Sequence, residues 1–116
     1  MKNIPQPILK SLASFTFYVR ALAAAALVYS LDVTGSIGDQ LHRAIESVVL
    51  NIAEGAACRS FAMKNKHYAT ARASTWEVAA ALDLLRLRGR GDAAIDEIAG
   101  LLREVDAIAS ALLRRR

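Results

Sequence analysis

Apolar residues recur along this chain at steps of three and four, the spacing that lines one face of an α-helix, and they do so in four separate runs. Ile8, Leu12, Phe15, Val19, Leu22, Ala26 and Tyr29 predict a first helix over about 7–30. Pro7 opens it, because a fixed φ and a missing N–H suit a first helical turn. The stretch from Asp32 to Gly38, with two glycines, breaks the pattern. Leu41, Ile45, Val48 and Ile52 then predict a helix over about 37–55, with Gly55 as its stop. Ser60 stands where an N-cap belongs for a third helix over about 60–88. That helix carries Phe61, Tyr68, Ala71, Thr75, Val78, Leu82 and Leu85, and ends before Gly89 and Gly91. Asp92 is placed to cap a fourth over about 92–113, where Ile95, Ile98, Leu102, Val105, Ala109 and Leu112 form an unbroken seam. Short connections between long helices make neighbours antiparallel. The predicted fold is all-α: an up-down-up-down four-helix bundle in a single domain over 1–116.

The first run carries a second apolar series, Ala13, Phe17, Ala21, Ala24, Val28 and Leu31, again at steps of three and four. Phe17 lies about 160° around the helix from both Phe15 and Val19. Between Ile8 and Leu31 only Lys10 and Arg20 are charged. A helix apolar all round is a buried one, and a lone four-helix bundle covers one side of it. The expectation is that the Ile8–Tyr29 series faces the chain's own core. Phe17, Ala21, Ala24 and Val28 then face a second subunit of a homo-oligomer.

Composition agrees with helix: 54% of the 116 residues are hydrophobic, much of that alanine, and 6% are aromatic. A single cysteine, Cys58, excludes an intrachain disulfide and fits a reducing, cytoplasmic setting. The apolar stretch from Ala21 to Leu31 is shorter than the ~20 residues that span a bilayer, so no membrane role is expected.

Candidate chemistry is sparse. Glu54 and Glu77 could pair as acid and base, but Glu54 sits near Arg59, where an ion pair across the turn would satisfy it. Asn51 and Ser47 share its helix face and are expected to hydrogen-bond to the third helix. His42 and His67 lack the converging partners a metal needs, and Gly89-Arg90-Gly91 is too short for a phosphate loop. The expectation is no enzyme, no metal and no cofactor.

Charge changes the picture through its placement. The net balance is only +4. In the predicted topology, however, one bundle end gathers Lys2, Lys10, Arg59, Lys64, Lys66, Arg114, Arg115 and Arg116, opposed by Glu54 alone. At the other end Asp32, Asp39, Asp83 and Asp92 offset Arg86, Arg88 and Arg90. Cations at a helix C-terminus are favoured by the helix dipole without any ligand. Against that bland account, the charge comes from three segments, no acid occurs from Gly55 through Trp76, and Tyr68 and His67 stand nearby as stacking surfaces. The expected ligand is RNA or DNA, held through Lys10, Arg59, Lys64, Lys66 and Arg114 to Arg116 by phosphate and shape.

The string Asn51-Ile52-Ala53-Glu54-Gly55, with Gln40-Leu41-His42-Arg43-Ala44 before it and Arg59-Ser60 and Ala73-Ser74-Thr75-Trp76-Glu77 after it, resembles the family of ribosomal RNA intervening-sequence proteins. The resemblance runs from about Phe15 to Leu113, and Asn51, Glu54 and Gly55 form its distinctive motif. Two positions depart from it: Val49, where the family often has proline, and Lys64, where it often has an aromatic residue. The resemblance implies a four-helix bundle, a homopentameric ring and an RNA-related role. The accessory protein of diversity-generating retroelements is similar in fold and implies an alternative, a partner of a reverse transcriptase. The remaining alternative is a structural interaction module without nucleic-acid binding.

Overall fold

The protein is described by a computed structural model over residues 4–114. Within them it is all-α, with five helices and no strand: α1 (Lys10–Ala13), α2 (Thr16–Ser30), α3 (Gly35–Ala57), α4 (Phe61–Leu87) and α5 (Ala93–Arg114). Each of α2 to α5 packs against the next, and α2 closes on α5. The partner numbers run in opposite senses across the pairs. Ser47 meets Ser74 and Asn51 meets His67 between α3 and α4. Arg72 meets Asp106 and Arg86 meets Asp96 between α4 and α5.

The expected first helix is two helices. Ser14 Oγ bonds back to the carbonyls of Lys10 and Ser11, both at 3.3 Å, and so competes with helix continuation. Phe15 then takes an extended conformation (φ −97°, ψ 103°) as the N-cap of α2. This break disconnects Ile8 and Leu12 from the phase of α2, and it inverts the expected sidedness. Phe17, Ala21, Ala24 and Val28, expected at a subunit interface, are wholly buried in this chain's own core. The other series faces out: Ile8 is 99% exposed, Tyr29 is exposed, and Val19, Leu22 and Ala26 are half-buried. The physical reason is packing. Phe17 fills the space beside Tyr68, with centroids 5.4 Å apart at 75°, while Ala21 and Ala24 let α2 approach its neighbours closely.

The other three seams lie inward as their periodicity dictates. Leu41, Ile45, Val48 and Ile52 are buried on α3, and Ile95, Ile98, Leu102, Val105 and Ala109 on α5. On α4 the series from Tyr68 to Leu85 is buried, but Phe61 is 73% exposed. Ser60 caps α4, its Oγ accepting from the Met63 N–H at 3.1 Å. Asp92 stands directly before α5 with its carboxylate paired with Arg90. Gly38 is required by a close approach: a Cβ there would lie 2.5 Å from the Val33 carbonyl oxygen. Outside the core, the Tyr29 hydroxyl donates to Glu46 Oε2 at 2.6 Å. That bond, with burial and the carboxylate charge behind it, pushes the phenol up to about 12.

Candidate nucleic-acid interface

Three segments meet at one end of the molecule. Leu9, Leu12 and Phe15, in and beside α1, form with Ala56, Lys64 and Tyr68 the walls of a cleft of about 510 Å³. Leu113 near the end of α5 shares a hollow with Ala69 and Ala73 of α4. The α3–α4 turn, with Arg59, directly follows Ala56 and Ala57 of the cleft wall. Lys10, Arg59 and Lys66 are exposed at this end. Arg114 is also exposed and donates to Ser110 Oγ at 2.9 Å. Lys2, Arg115 and Arg116 lie outside the described residues.

Lys64 has a different duty from the one expected. Its Nζ donates to the carbonyls of Gly55 (2.8 Å), which also accepts from the Cys58 N–H at 3.2 Å, and Ala56 (3.3 Å), both in the last turn of α3. It thereby caps one helix from the next and stands 5.9 Å from the centre of the Tyr68 ring. The expected stacking surfaces are also occupied. Tyr68 is buried against Phe17, and burial raises its phenol pKa, with Cys58 adding to the shift. His67 Nδ1 lies 3.1 Å from Asn51 Oδ1 and 4.0 Å from Glu54 Oε1. Glu54 therefore neighbours His67, and the expected pair with Arg59 is not formed.

The distinctive motif is architectural. Asn51 Nδ2 donates to the Ser47 carbonyl at 2.9 Å while its oxygen meets His67, and Ser47 Oγ meets Ser74 Oγ at 2.8 Å. Gly55 is not the stop expected of it, since α3 continues to Ala57. Its absent side chain makes room for the neighbouring helix. A Cβ there would lie 2.5 Å from Tyr68 Cε1 and 3.2 Å from His67 Cβ. The Tyr68 ring is held by Phe17 and has little freedom to yield. Gly55→Ala is expected to cost about 1–3 kcal/mol as an overpacked contact, read as a lowered midpoint in urea unfolding. An unchanged midpoint would show that the two helices can part at no cost.

Most cations elsewhere are spent. Arg72 pairs with Asp106 (3.0 Å), Arg20 with Glu104 (3.3 Å), Arg86 with Asp96 (2.6 Å) and Arg90 with Asp92. Among the described residues, Lys10, Arg59 and Lys66 make no side-chain hydrogen bond or ion pair, and elsewhere the same holds for Arg88 and Arg103. The basic end is therefore richer in available charge than the net balance suggests.

One cluster escaped the sequence reasoning. Asp106 Oδ1 accepts from both Trp76 Nε1 (2.8 Å) and Arg72 Nε (3.0 Å), and the Arg72 guanidinium lies 5.2 Å from the centre of the Trp76 ring. Trp76 is nevertheless 61% exposed. It belongs to an outward apolar stripe on α4 with Ala69, Ala73, Ala80, Leu84 and Leu87, all exposed. The signal was present as a second series at steps of three and four, out of phase with the buried one. Several alanines in it made it look like an ordinary solvated face.

No helix of the described residues is long and apolar enough to cross a membrane. The family model of 23S rRNA-intervening sequence proteins matches residues 16–112, beginning at the first residue of α2 and leaving α1 outside. A crystal structure of a protein with unknown function from the S23 ribosomal protein family of Bacteroides thetaiotaomicron is similar with a TM-score of 0.67. The two share 19% identity over 84% of this chain and 91% of that one, a likeness of fold. No curated protein matches the chain.

Proposed function

Because this chain belongs to the family of 23S rRNA-intervening sequence proteins, we propose that it is an oligomeric scaffold that binds RNA or DNA through its basic end and catalyses no reaction. The observation that carries this reading is the convergence of Lys10, Arg59 and Lys66, unneutralised, from separate segments at one end, while Arg20, Arg72, Arg86 and Arg90 are held by carboxylates. Such a surface recognises phosphates and the shape of the backbone, with little preference among sequences. A retention assay tests it. Protein purified at low salt should carry nucleic acid, visible as a raised 260-to-280 nm absorbance ratio, and release it at high salt. A ratio of pure protein under both conditions would favour a structural module.

In this reading α2 to α5 form an antiparallel up-down-up-down four-helix bundle, with α1 as a short leading turn, and the bundles assemble into a homopentamer. Support for self-association now rests on other faces than the one expected from sequence. The outward side of α2 offers Val19, Leu22, Ala26 and Tyr29 with Arg20 as its one charge. The outward stripe of α4 offers Trp76, Leu84 and Leu87. Since α2 and α4 each pack on α3 and α5, they occupy opposite corners, and their outer sides point away from each other. Two unlike faces suit a head-to-tail contact, which generates a ring when the rotation between subunits closes. Light scattering at micromolar concentration should give a mass about five times that of the 12.5 kDa chain. Trp76→Asp should reduce it while helicity is kept. A monomeric wild type would refute the assembly.

A further inference from the structure

The aromatic surface at the basic end is Phe61, and we infer that it stacks on an unpaired nucleobase of a single-stranded nucleic acid whose phosphates lie against Arg59 and Lys66. This rests on the nucleic-acid reading above and narrows its ligand from any duplex or strand to one with unstacked bases. Phe61 is the first residue of α4, fixed by the Ser60 cap immediately before it. The residue is 73% exposed, and Ala62 and Met63 after it are exposed as well, so the first turn of α4 projects from the bundle. Of the other aromatic groups at this end, Tyr68 and His67 are taken up by Phe17 and Asn51, and the half-buried Phe15 packs edge-on against Phe17. That leaves Phe61 as the ring free to receive a base.

The chemistry around the ring selects the ligand. Arg59 stands two residues before it, and Lys66 lies five residues on, about 7.5 Å along the helix. Both are exposed and unpaired among the described residues. No acid lies between Gly55 and Trp76, and none occupies the first turn of α4, whose free N–H groups add positive potential. An exposed ring with Arg59 just before it in the chain, and Lys66 about 140° around the same helix end, fits a base and its phosphates, since stacking tolerates any base and the charges follow the backbone. Bases inside a duplex are already stacked and out of reach, so the ring contributes nothing to duplex binding.

The test compares a fluorescein-labelled oligouridylate of about 15 nucleotides, within the site size of single-strand binders, with a duplex RNA of the same length. Binding is read by anisotropy at equal low salt. The full chain should bind the single strand more tightly. Phe61→Ala should weaken single-strand binding by about 5- to 150-fold, the range one base–aromatic stack covers. Duplex binding should be unchanged, and Phe61→Trp should restore the preference. The residue is exposed, so unchanged helicity certifies each variant. Equal wild-type affinity for the two probes, or an equal loss for both in Phe61→Ala, would overturn the stacking role and leave the basic end as a backbone binder. Phe61-dependent binding to phosphatidylserine vesicles without such dependence on the oligouridylate would assign the ring to a lipid surface instead. A wild type that binds neither RNA would remove the nucleic-acid reading itself.

Discussion

Phe17→Ala is expected to lower folding stability by about 3–5 kcal/mol, as truncating a fully buried aromatic does. Phe17 contacts Phe15 on one side (centroids 5.9 Å apart) and Tyr68 on the other (5.4 Å), both edge-on, and Tyr68 in turn closes over Gly55. Removing the ring leaves a cavity among α2, α3 and α4 that the backbone cannot collapse to fill. Phe17→Asp should go further, because it adds an unpaired carboxylate in the same place. Against the ~5–15 kcal/mol that holds a typical domain together, this substitution should leave no cooperative unfolding transition. Circular dichroism during urea unfolding measures both. A Phe17→Asp protein that stays folded but falls apart into monomers would return Phe17 to a subunit interface.

That outcome matters because α2 is where the sequence was hardest to read. Its two apolar series both keep helical spacing, and both continue for several turns. Continuity with Ile8 and Leu12 favours the Phe15–Tyr29 series as the inner one. The deciding event is local: Ser14 turns its hydroxyl onto the preceding turn and Phe15 leaves the helical region, so α2 begins afresh. No periodicity count contains that break. Where a helix had one apolar seam, as in α3 and α5, the expected residues lie inward, with Leu112 only half-buried and Ala44 of α3 buried in addition. The Ser60 cap was legible for the same reason, a local rule with a local answer.

The candidate site was legible by topology and less so by residue. Knowing which segments share a bundle end was enough to set α1 beside the end of α3 and the start of α4. It was not enough to see that Lys64 reaches nine residues back to the last carbonyls of α3, or that Tyr68 lies in the space Gly55 leaves. Both are contacts between two helices at close range, decided by side-chain direction. The Asn51–Gly55 string marks the family, yet its residues hold α3 to α4. Trp76 was visible as the only tryptophan, but its bond to Asp106 joins positions 30 residues apart.

Reversing Lys10, Arg59 and Lys66 to Glu should cost little in folding, since all three are exposed and unpaired among the described residues. Its effect on nucleic-acid binding should be large. Each phosphate neutralised contributes about 0.7–0.9 to the slope of log affinity against log salt, so losing three contacts should flatten it by about 2–3 for each engaged subunit. Between about 50 and 200 mM salt this is a change of about 20- to 40-fold in sensitivity. The loss should be uniform across sequences, because backbone contacts carry no sequence information. By contrast, Lys64→Glu should act chiefly on stability, through the uncapped end of α3.

The most direct measurement is therefore the salt dependence of RNA binding by the wild type and the triple reversal, taken side by side by anisotropy titration. A steep decline for the wild type, and a flattened, weakened curve for a variant with unchanged helicity and mass, is the predicted result. Wild-type binding that is absent at low salt, or superimposable curves for the two proteins, would contradict a nucleic-acid interface at the basic end.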